Sequence, residues 1–141
     1  MVKIQSKYEG ELHCVSTHAP SKVTLQTDAP VDNMGRGQSF SPTDLVATAL
    51  GTCMLTTMGI VAQRNGWNMA GASCEVEKGM VADPTRRIGS LTIVIRMPGE
   101  FDERARKTLE QTALNCPVNR SLHPDVSVPV RFEWSASTAT R

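Results

Sequence analysis

The chain has 141 residues, a formal net charge of +1, 40% hydrophobic and 21% charged residues. That balance fits a soluble globular protein of one domain over 1–141. Nucleic acid is excluded as the main partner, because phosphate binding needs concentrated basic surface and the Lys and Arg residues here are scattered. Cys14, Cys53, Cys74 and Cys116 form no C-x-x-C pair, so neither a metal site nor a disulfide scaffold is expected.

The N-terminus, "MVKIQSKYEG", lacks the apolar core and cleavage site of an export signal. The expected location is cytoplasmic, where thiols stay reduced. Val2, Ile4, Tyr8, Leu12 and Cys14 share one face at a period of two, which predicts one long strand with a bend at Gly10. "THAPSK" (17–22) reads as a turn and "VTLQT" (23–27) as the returning strand. A loop rich in Gly, Pro, Asp and Asn follows over 28–42.

A helix then begins with Ser41 as N-cap, Pro42 at the first helical position and Asp44 three residues after the cap. This is a capping box with Asp in place of Glu. The helix should run to Asn65, with Gly66 ending it. Alternation predicts strands over 70–81 and 88–97, the second aligning Leu91, Ile93, Ile95 and Met97. A second helix over 102–115 buries Ala105, Leu109, Ala113 and Cys116, and Pro117 stops it. The last strand is 126–134. The order β-β-α-β-β-α-β is an α+β fold, with a largely antiparallel sheet around a long buried central helix.

No charge interrupts that central helix over 45–62. The stretch is at the lower edge of membrane-spanning length, but its threonines and glycines dilute its hydropathy, so a buried helix of a soluble protein is expected rather than a membrane segment. Cys53 is centred among Val46, Ala49, Leu50, Thr57 and Ile60, while Ala47, Thr48, Gly51, Leu55, Met58 and Ala62 lie opposite. Both sides are apolar and need covering, and one sheet covers only one. The small residues opposite Cys53 suit close approach by a second helix, so an intimate homodimer is expected. By position alone Cys53 reads either as an inert core thiol or as a reactive one.

The segments "SFSPTDLVATALGTCMLTTMGIVAQRNG" (39–66) and "LEQTALNCPVNRSL" (109–122) change that balance. Their S-P-x-x-L helix start, L-G-x-C centre and N-C-P-V, with an R-x-I strand after a D-P turn, resemble the OsmC/Ohr family of osmotically inducible and organic hydroperoxide resistance proteins. The resemblance covers Gly35 to Trp134. It implies an intertwined dimer, and a peroxidase that reduces organic hydroperoxides to alcohols. By motif, Cys53 is the peroxidatic thiol and Cys116 the resolving one. A dithiol or lipoylated-protein reductant would reset their disulfide, with no metal, haem or flavin.

A thiol among apolar groups is a poor nucleophile without a cation beside it. In the family's peroxidases that cation is an N-terminal Arg held by a Glu directly after the helix-start Pro. Here Thr43 occupies the Glu position, and no Arg precedes Arg36. The candidate substitutes are Arg36, Lys22 and Arg120. His13, His18 and His123 read as surface or loop residues. The departures keep open a dimeric ligand-binding or redox-sensing protein without efficient peroxidase activity.

Overall fold

In a computed structural model, which describes residues 1–135, the capping box forms as its spacing dictates. The Asp44 N–H donates to Ser41 Oγ at 3.1 Å, and the Ser41 N–H donates back to Asp44 Oδ2 at 2.8 Å. The helix it opens, α1, spans Pro42–Asn65. Gly66 ends it with φ +69°, a left-handed conformation that glycine adopts without strain. The chain divides into two units, Met1–Val46 and a second from Ala47 onward.

In the first unit, β1 (Ile4–Gly10), β2 (His13–His18) and β3 (Thr24–Asp28) form an antiparallel sheet in that order. The single strand expected over 2–14 is therefore a hairpin. Glu11 and Leu12 turn it with φ of 52° and 61°. Positive φ at both central residues matches the right-handed twist of the flanking strands. The Glu-Leu pair lacks the Asn-Gly signature of such turns, so alternation ran through it unbroken. A 3-10 turn, Val31–Asn33, lies in the loop before α1.

The second unit carries β4 (Ser73–Val81), β5 (Arg87–Met97), α2 (Glu103–Leu114), α3 (Pro117–Ser121) and β6 (Val130–Trp134). β5 is central, antiparallel to β4 and parallel to β6. The molecule is thus α+β with two three-stranded sheets. Pairing Cys74–Ile95–Phe132 and Val76–Ile93–Val130 aligns apolar side chains on one face. The other face carries Arg96, which bridges Glu75 at 3.3 Å and Glu133 at 2.9 Å. β6 begins later than alternation implied. Pro129 has no N–H to continue a ladder, though its carbonyl still accepts from Ile93.

Three stripes account for most of the core: Leu50, Met54, Met58 and Ala62 of α1; Leu91, Ile93, Ile95 and Met97 of β5; Ala105, Leu109 and Ala113 of α2. By length and composition α1 could cross a membrane, yet Leu50, Met54 and Met58 are fully buried within the chain's own core. The side expected to meet a second helix is the one that meets the sheet. A Cβ at Gly51 would sit 2.9 Å from Val76 Cγ2 and 3.1 Å from Cys74 Sγ. The missing side chain at Gly51 therefore lets α1 approach β4. The opposite side, with Ala49, Thr52, Thr56 and Ile60, is exposed.

Candidate functional site

Cys53 lies midway along α1 at the border between its buried and exposed stripes, and is half-buried. Cys116 is 1% exposed and sits between α2 and α3. Pro117 was expected to stop α2. Instead α2 ends at Leu114, Asn115 caps it, and Pro117 opens α3 at the first helical position. Proline fits there because that N–H has no intrahelical partner. Cys116 becomes the N-cap of α3, its Sγ accepting the Asn119 N–H at 3.4 Å.

The Cys53 side chain is a close enough neighbour of Cys116 to act on its ionisation. Burial pushes the Cys116 thiol up. The Asn119 N–H pulls it back down, and the neighbouring Cys53 adds to the rise. Cys116 is thereby favoured as the neutral thiol. Both cysteines are free in this structure. Cys74 is also raised by burial, but it faces Gly51 on the sheet side of α1. Cys14 is a half-buried residue of β2.

The candidate cations fall in different places. Lys22 is exposed in the turn between β2 and β3, with φ 63°. Arg36 follows the 3-10 turn and forms an ion pair with Glu11, its own side chain 55% exposed. Arg120 stands on α3 one turn beyond Cys116, its N–H bonded to the Cys116 carbonyl at 3.1 Å. It is exposed, and among the described residues no carboxylate lies within ion-pair distance of it. Thr43 shares a 3.1 Å hydrogen bond with Ser41 Oγ at the α1 cap.

Two features escaped the sequence. One is α3, whose only trace was a cysteine directly before a proline. The other is a His–Asp pair, with His13 Nδ1 2.6 Å from Asp28 Oδ1. Asp28 is 6% exposed. His13 and Asp28 are register partners across β2 and β3, a relation invisible until the hairpin register is known. His18 pairs with Ser21, and His123 accepts the Asp125 N–H, both as surface residues.

The fold and the adjoining thiols define an α+β protein built on a cysteine-bearing central helix. A family profile described as OsmC-like protein matches residues 35–131, and the chain belongs to the OsmC family. A protein of Psychrobacter arcticus 273-4, named for osmotic stress induction and detoxification response, is 44% identical with a TM-score of 0.89, over 94% of this chain and 96% of that one. The organic hydroperoxide resistance protein OsmC of Legionella pneumophila is 16% identical, TM-score 0.77, over 94% and 96%. OhrB of Bacillus subtilis, an organic hydroperoxide resistance protein, is 17% identical, TM-score 0.67, over 94% and 98%. The latter two are similar in fold alone. No curated protein matches the chain.

Proposed function

We propose that the protein is a cysteine-based peroxidase that reduces organic hydroperoxides to alcohols. The observation that carries this reading is a half-buried Cys53 neighbouring a buried Cys116 whose thiol burial pushes up. A Cys53 thiolate attacks the distal oxygen of R–OOH. The O–O bond breaks, the alkoxide leaves and takes a proton to become the alcohol, and Cys53 becomes a sulfenic acid. The Cys116 thiol condenses with it, forming an S–S bond and releasing water. An external dithiol, small or lipoylated, returns both cysteines to thiols and is itself oxidised. A reducing cytoplasm supplies such a donor. The apolar surroundings of Cys53 favour a substrate with an organic tail over hydrogen peroxide.

A homodimer belongs to this reading. The uncovered side of α1 includes Ile60 at 45% exposure beside Ala49, Thr52 and Thr56. Such a surface is expected to be covered by a second copy.

Cumene hydroperoxide with dihydrolipoamide tests the activity. Turnover is expected from the wild-type protein and none from Cys53→Ser. Absence of wild-type turnover overturns the peroxidase reading. One observation favours a second reading, a dimeric ligand-binding or redox-sensing protein. Thr43 contributes a hydroxyl bonded to Ser41, and the Asp44 carboxylate is engaged in the cap. The position directly after the helix-start Pro42 thus carries a hydroxyl rather than a carboxylate. Under that reading Cys53 stays a thiol after one equivalent of hydroperoxide.

A further inference from the structure

The turn between α2 and α3 is tied by one side chain, that of Asn119. A helix leaves its last carbonyls without intrahelical partners, and Leu114 is the last residue of α2. Had α2 continued, the Val118 N–H would have reached the Leu114 carbonyl. Cys116 instead turns the chain out with an extended backbone, ψ 149°. The half-buried Asn119 supplies the donor, its Nδ2 giving a hydrogen bond to the Leu114 carbonyl at 2.7 Å. Its backbone N–H gives another to Cys116 Sγ at 3.4 Å. One residue thus holds the end of α2 with its side chain and the sulfur of Cys116 with its backbone.

We propose that Asn119 is a positioning residue for disulfide closure, tying α3 to α2 so that Cys116 Sγ is held where it attacks Cys53. This rests on Cys53 and Cys116 forming the redox couple, and not on hydroperoxide being the oxidant. α3 has only five residues, too few for its own hydrogen bonds to keep it in place. Its first turn therefore depends on the link to α2. Cys116 is 1% exposed, so its sulfur is enclosed and cannot range widely in search of Cys53. Misplacement by about 1 Å can slow such a step about a hundredfold. In that step the Cys116 sulfur attacks the sulfur of the Cys53 sulfenic acid. The S–O bond breaks, and hydroxide departs with the Cys116 proton as water.

Asn119→Ala removes the tie to Leu114 and keeps the N–H that bonds Cys116. Diamide closes the disulfide without peroxide: one thiol adds across its N=N bond, and the second displaces the hydrazine as the S–S bond forms. At diamide concentrations where the rate has levelled off, closure in Asn119→Ala is expected to be slower by at least about tenfold. Iodoacetamide alkylation of Cys53 should keep its wild-type rate, whereas general loosening of the fold would raise it. Asn119→His, whose Nδ1–H lies as many bonds from Cα as the Asn Nδ2, should recover most of the lost rate. Closure of Asn119→Ala at the wild-type rate, a changed rate of Cys53 alkylation, or no recovery in Asn119→His overturns the proposal. Failure of diamide to join Cys53 and Cys116 in the wild type overturns it too. The expected rates together with no hydroperoxide turnover remove the peroxidase reading and leave this one standing.

Discussion

At the scale of single residues, Cys53 and Cys116 differ in what surrounds each sulfur rather than in kind. Cys116 is enclosed, its thiol raised by burial, and bonded to the Asn119 N–H. A group whose ionisation is raised in the fold favours folding while protonated. That contribution is complete below the unfolded thiol's pKa and disappears as pH climbs through the folded one. Cys74 and Cys116 both start from a reference of 9.0 and move up. Iodoacetamide labelling of the reduced protein followed by peptide mapping should therefore find Cys53 modified well before Cys74 and Cys116 at pH 8. Labelling of the latter two should rise only at more alkaline pH, together with loss of folded signal. A second expectation is that Cys116→Ser still forms one equivalent of sulfenic acid, trapped by dimedone, but no disulfide. Serine also caps helices well, so its stability should stay within about 1 kcal/mol of wild type.

Among the elements, α1 is specified at both ends and constrained in the middle. Its reciprocal Ser41–Asp44 cap satisfies N–H groups that would otherwise be orphaned. Ser41 is 1% exposed, so water cannot replace the lost bond freely. Ser41→Ala should lower stability by about 1 kcal/mol in a urea titration. Gly51 sets the distance to β4. In an exposed helix, alanine there would gain about 1 kcal/mol, but a Cβ would crowd Val76 and Cys74. Overpacking of this kind costs about 1–3 kcal/mol, so Gly51→Ala should be net destabilising in the same titration. Unchanged or higher stability would mean that α1 and β4 part easily.

For the whole molecule, the exposed side of α1 is expected to be covered by a second copy. Light scattering coupled to size exclusion should give twice the mass of one chain. Ile60→Arg, which places a charge on a surface 45% exposed at that residue, should shift the protein to the single-chain mass while it remains folded. A single-chain mass for the wild type would remove the dimer from the proposed function. The 44% identity to the Psychrobacter arcticus protein over nearly the whole of both chains makes the fold secure at this scale.

Much of this molecule is local, and what is local was legible. The α1 cap, the Gly66 stop, the buried stripe of β5 and the apolar face of α2 each depend on residues a few positions apart, through hydrogen-bond geometry and periodicity. The pairing of Cys53 with Cys116 followed from resemblance, because no spacing relates two residues so far apart in the chain. Alternation could not distinguish one long strand from a hairpin at Glu11 and Leu12, since a two-residue turn keeps the period. The role of Gly51, read as a docking surface for another helix, depended on which side of α1 the sheet would take. With both sides apolar, hydropathy alone is symmetric. Only the packing of β4 against α1 broke that symmetry, and only the turn into α3 placed an N–H on the sulfur of Cys116.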